Sequence, residues 1–90
     1  MDEERRKELR NELHLKVALN INDLTIPCQV KNLSSGGSLL MVDENFSHLI
    51  NDFNIGNRIA CWFHSTKKEG SIVRLYEENG NKFLAMRYLF

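Results

Sequence analysis

Four cationic side chains fall within six residues near the start of the chain: Arg5, Arg6, Lys7 and Arg10. Three are arginines, whose planar guanidinium groups offer paired donors to an anion and lie flat against rings. Further along comes Asn32-Leu33-Ser34-Ser35-Gly36-Gly37, a stretch of small polar side chains and glycines. Such a composition exposes backbone amides and lets a ligand come close to the main chain. Gly37 is expected to supply a bend at positive φ and room for that approach. Together the two segments read as the halves of one site for an anionic ligand. Each alone has a plainer reading. The arginines stand among Glu3, Glu4, Glu8 and Glu12 and can make a solvated helical turn, while Asn, Ser and Gly are ordinary turn residues.

The elements that must hold these residues follow from hydrophobic period. Residues 1–12 are almost entirely charged, with Leu9 the only large apolar side chain after Met1, and read as an N-terminal arm. From Leu13 the pattern alternates strictly: Leu13, Leu15, Val17, Leu19 and Ile21 share one face, which predicts a half-buried strand. Asn22-Asp23 is a turn, and Leu24, Ile26, Cys28 and Val30 alternate again. Pro27 cannot donate to a ladder and is expected at an edge or a bulge. Asn32 to Gly37 interrupts the pattern before a short apolar strand from Ser38 to Val42. Asp43-Glu44-Asn45 caps a short helix whose Phe46, Leu49, Ile50 and Phe53 form one apolar stripe, ended by Gly56. Arg58 to His64 is a further strand, Thr66 to Gly70 a charged turn, and Ser71 to Glu77 with Lys82 to Phe90 a hairpin around Asn79-Gly80. About six antiparallel strands in so short a chain close on themselves to remove unpaired edges. The expected fold is mostly β: a small closed antiparallel barrel over residues 13–90, with one short helix and the charged arm at 1–12.

Composition narrows the function. The 90 residues carry 12 basic and 12 acidic side chains, so there is no net positive field of the kind that draws DNA or RNA. No apolar run approaches the roughly 20 residues that span a bilayer, and the charged N-terminus has no signal-peptide core, so the protein is expected in the cytoplasm with no membrane insertion. Cys28 and Cys61 read as two buried free thiols, and His14, His48 and His64 as isolated structural residues, with no metal proposed. Trp62 is expected in the core or the barrel wall, and Arg74 on a solvated strand face. No nucleophile-base arrangement or phosphate loop is visible, so no enzyme is expected.

The pairing of Arg6-xxx-Arg10 with Asn32-x-Ser34-x-x-Gly37 at the end of the second strand resembles the paired motif of PilZ domains, which bind the bacterial second messenger cyclic di-GMP. The final strand is similar as well: Leu84-Ala85-Met86-Arg87-Tyr88 follows the family's pattern of apolar, Gly, apolar, Arg, aromatic, with Ala85 where Gly is usual. The resemblance covers nearly the whole chain. It implies that Arg6 and Arg10 grip the ligand from the arm and that Asn32 and Ser34 hydrogen-bond a base. Gly37 would permit the bend, and Arg87 joins the site by its family position. Members with an Arg directly before the motif tend to take an intercalated pair of ligands, which implicates Arg5 in holding the second molecule. No cofactor beyond the cyclic di-GMP ligand is implied. Binding would order the arm and create a surface for a downstream effector protein. The rival reading is a ligand-independent PilZ-like adaptor between proteins.

Overall fold

The computed structural model describes residues 15–89. Six strands form, most of them along alternating side chains: β1 Lys16–Ile21, β2 Leu24–Leu33, β3 Gly37–Val42, β4 Arg58–Phe63, β5 Thr66–Glu78 and β6 Asn81–Tyr88. They close into an antiparallel barrel in the order β1-β2-β3-β6-β5-β4. Closure follows from the physics of edges, since each strand finds a backbone partner on both sides. Leu19, Ile26, Val30, Leu40, Ile72 and Leu84 meet inside with no exposed surface. Each such side chain contributes about 1.5–3 kcal/mol by leaving water. The first segment of the chain, including Leu13 and the 1–12 arm, lies outside the described residues.

Left-handed residues make the tight turns. Asn22 (φ 53°) turns β1 into β2, and His64 (φ 58°) turns β4 into β5. Asn79 (φ 53°) and Gly80 (φ 81°) are both left-handed, as a two-residue type I′ hairpin requires. Between β3 and β4 runs a 3₁₀ helix, Glu44–Asp52, rather than an α-helix. The Asp43 carboxylate caps it by accepting from the Asn45 amide at 2.9 Å. Ile50 and Phe53 enter the barrel core while Phe46 stays exposed, because the tighter 3₁₀ turn does not keep the expected stripe in line. The helix ends at Asp52; Phe53 is already extended, and Gly56 (φ 94°) serves the turn that follows. Lys82 on β6 ties the helix down, donating to Asn51 Oδ1 and, at 3.4 Å, to the Ser47 carbonyl.

Two further expectations change, for Thr66–Gly70 and for Pro27. Thr66–Gly70 is the first part of β5, not a turn. Its two lysines lie over aromatic rings, with Lys67 Nζ 6.0 Å from the Trp62 ring centre and Lys68 Nζ 5.6 Å from that of Tyr88, and Lys67 also pairs with Glu69 at 3.3 Å. Trp62 stands on the outer wall and is 39% exposed. Pro27 sits at neither a free edge nor a bulge. Its carbonyl accepts from the Asp43 amide, so its missing donor faces the end of β3, where the ladder stops. Cys28 and Cys61 are buried free thiols, and burial pushes both up to about 12.

Candidate functional site

A strict two-residue period would carry Asn32 to the same face as Val30, inside the barrel. It does not, because β2 holds one extra residue: Val30 pairs with Leu40 and Asn32 with Leu39, leaving Lys31 as a bulge. The same device recurs on β5, where Ile72 pairs with Met86 and Arg74 with Ala85, leaving Val73 as the extra residue. Each bulge reverses the phase of its strand. Residues directly opposite in a ladder share a face. Asn32, Leu39, Ala85 and Arg74 therefore form one row across the outside of β2, β3, β6 and β5, with Leu39 opposite Ala85 completing it.

One step along the strands, Gly37 lies opposite Arg87. The turn before it is closed twice. The Ser34 amide donates to the Gly37 carbonyl at 2.9 Å, and the Ser34 hydroxyl donates to the same oxygen at 3.2 Å. Gly36 in turn accepts from the Tyr88 amide at 2.9 Å, fastening the turn to the end of β6. The Ser34 hydroxyl has thus used its proton and keeps its lone pairs for a donor arriving from outside.

The expected reason for Gly37 is corrected here. The glycines with positive φ are Gly56 and Gly80, and Gly37 opens β3. It is glycine because β6 comes so close: a Cβ would run into the Met86 carbonyl and lie 3.4 Å from Arg87 Cα. Gly70 meets β6 from the other side, where a Cβ would strike the Arg87 carbonyl. Arg87 is thus carried on a strand gripped between two glycines.

These features enclose an open cleft of about 540 Å³ on the barrel wall, within the range usual for small-molecule sites. Asn32, Ser34, Gly37 and Arg87 all line it. No carboxylate is among the described residues that line it, whereas two guanidinium groups are, those of Arg87 and Arg74. Small and apolar residues, Gly37, Leu39, Val73 and Ala85, make up part of its lining. A flat anion can rest on such a surface with cations at its margin. The Leu15 carbonyl accepts from the Val30 amide at 2.8 Å, which fastens the first described residue two positions from Asn32.

The family model of the PilZ domain matches residues 4–88 of this chain. The chain belongs to the PilZ domain family. Members of this family are generally cyclic di-GMP receptors or adaptors. No curated protein matches the chain.

Within this PilZ domain, Asn32, Ser34, Gly37 and Arg87 converge on one cleft, while Arg5, Arg6 and Arg10 lie outside the described residues. Arg74 is the residue that sequence reasoning left on a solvated face. Its signal was present but faint: the apolar pair Ile72 and Leu75 is spaced by three, which a continuous strand cannot bury on one side. Ala85, where the family usually has Gly, adds a methyl group to the cleft lining. Among the described residues no cluster of His, Cys, Asp or Glu could hold a metal ion, and no helix is long and apolar enough to cross a membrane.

Proposed function

We propose that this PilZ domain binds cyclic di-GMP in the cleft between the Ser34–Gly37 turn and Arg87, with the N-terminal arm folding over the ligand. The observation that carries the reading is the convergence itself. The Lys31 bulge and a glycine contact bring Asn32, Ser34, Gly37 and Arg87 to one cleft, and the Val73 bulge adds Arg74; guanidinium groups line it and no described carboxylate does. Ser34, its proton already committed, accepts from a base N–H, and Asn32 serves the same base edge with its amide. Arg6 and Arg10 supply charge-assisted bonds to the phosphates, each of about 1.5–3 kcal/mol. Arg10 precedes Leu15 by five residues, a tether of at most about 18 Å, and Leu15 is bonded beside the bulge that presents Asn32.

An intercalated ligand pair carries four phosphate charges, which is the role assigned to Arg5. Ordering the arm builds a surface of arm plus ligand for a downstream effector protein, as disorder-to-order switches do. Nothing in this scheme calls for catalysis or for DNA or RNA, and the protein would act as a cytoplasmic receptor. Calorimetric titration with cyclic di-GMP tests it: the parent binds, and Arg10→Ala loses detectable heat while its melting curve is unchanged. A parent that gives no binding heat leaves the adaptor reading in its place.

A further inference from the structure

We propose that Arg74 is a base-stacking residue of the cleft, its guanidinium plane receiving the face of a purine. The inference rests on the cyclic di-GMP reading above and assigns one contact within it. Arg74 and Tyr76 are two residues apart on the outer face of β5, and the guanidinium carbon lies 4.7 Å from the centre of the Tyr76 ring. Tyr76 is directly opposite Phe83 on β6, and their rings are stacked at 5.0 Å with 12° between planes. Phe83, Tyr76 and Arg74 thus form a column along the wall. Of the three, Arg74 alone lines the cleft.

The column distinguishes Arg74 from Arg87. Arg87 has no ring contact among the described residues and stands opposite Gly37, free to turn its donors to a phosphate. The Arg74 guanidinium is held over the Tyr76 ring, and the same residue lines the cleft, where a second flat partner would meet it. A point charge for a phosphate would need no such backing, and a lysine would serve. A planar cation seated on a ring is pre-oriented for an electron-rich base, and loses less freedom when the base arrives. The Val73 bulge is what places this plane beside the cleft rather than in the core.

The test compares cyclic di-GMP binding by the parent, Arg74→Ala, Arg74→Lys and Arg74→Trp, with affinity read by calorimetry and stacking by the loss of base absorbance on binding. Stacking a base contributes enough that Arg74→Ala should weaken binding by about ten- to a hundred-fold. Arg74→Lys, which keeps charge but not plane, should lose nearly as much. Arg74→Trp, which keeps a plane without charge, should stay within about three-fold of the parent and retain the absorbance change. Lysine binding like the parent while tryptophan fails would make Arg74 a phosphate contact and overturn the inference; so would an alanine variant equal to the parent. A parent that does not bind at all brings down the cyclic di-GMP reading itself, a result distinct from failure of Arg74 alone.

Discussion

Gly37→Ala is the most demanding test of how the cleft is built. The added methyl group has one place to go, into the Met86 carbonyl, with the Met86 carbonyl carbon and Arg87 Cα each 3.4 Å away. None of these atoms can rotate aside, since all belong to the β6 main chain. To make room β6 must move off β3, but the barrel is closed and β5 holds it from the other side. There Gly70 already fits so tightly that a Cβ on it would strike the Arg87 carbonyl. The variant therefore carries the cost of overpacking without an easy route of relaxation, about 2–3 kcal/mol. For a domain of this size that corresponds to a melting temperature lower by about 10–20 °C. Urea unfolding should show a lower midpoint at unchanged slope, the sign of lost stability rather than a changed unfolded state.

Two controls sharpen the result. A Cβ on Gly36, one residue earlier, meets nothing within 4 Å, so Gly36→Ala should stay within about 0.5 kcal/mol of the parent. Gly37→Asn separates steric from conformational reasoning, because asparagine tolerates positive φ but still carries a Cβ. It should be as damaging as alanine. Gly37→Ala melting with the parent, or Gly37→Asn restoring full stability, would refute the close-approach argument.

The other predictions address chemistry and stoichiometry. Ser34→Ala should cost less than about 1 kcal/mol of stability, since the exposed hydroxyl makes one bond to Gly37, yet should weaken cyclic di-GMP binding several-fold by calorimetry. Arg5→Leu should reduce the ligand stoichiometry from two per chain to one while leaving measurable affinity, and a parent value of one would remove that role for Arg5. The two thiols set an alkaline limit. Their folded values of about 12 exceed the unfolded 9.0, so the native chain holds protons that the unfolded chain releases. Stability is then fully present below about pH 9 and falls toward pH 12, by up to about 1.4 kcal/mol per pH unit for each thiol. Urea midpoints between pH 8 and 11 should fall less steeply in Cys61→Val than in the parent, and equal slopes would exclude the thiols as the cause.

How much of this was legible in the sequence depended on what each residue packs against. Val17, Leu19, Ile21, Ile26, Cys28 and Val30 alternate because each strand has one wet face and one dry one, and the structure buries all six. Asn79-Gly80 was equally plain, as few other residue pairs accept two left-handed positions in succession. Thr66–Glu69 was not, since its side chains are all exposed at the barrel mouth and its order comes from the β4 ladder and from rings under Lys67 and Lys68. Backbone pairing leaves no period in the side chains to read. The glycine at 37 was visible as a glycine, but the reason for it lies on β6, some fifty positions away in sequence, and no local pattern reports that contact.

The same contrast explains why the candidate site lies where it does. A barrel strand with perfect alternation offers its outer face only what the period allows, and an inward polar residue such as Asn32 would be a buried liability. Inserting Lys31 and Val73 as single extra residues moves Asn32 and Arg74 to the outside without disturbing Val30, Ile72 or the core they fill. The two bulges sit on the strands that flank β3 and β6, so their effects meet across the Leu39–Ala85 pair rather than on separate faces. The core can therefore remain a regular array while the cleft departs from it at two positions. In this chain the breaks in the hydrophobic period that obscure strand phase are the same breaks that assemble the cleft.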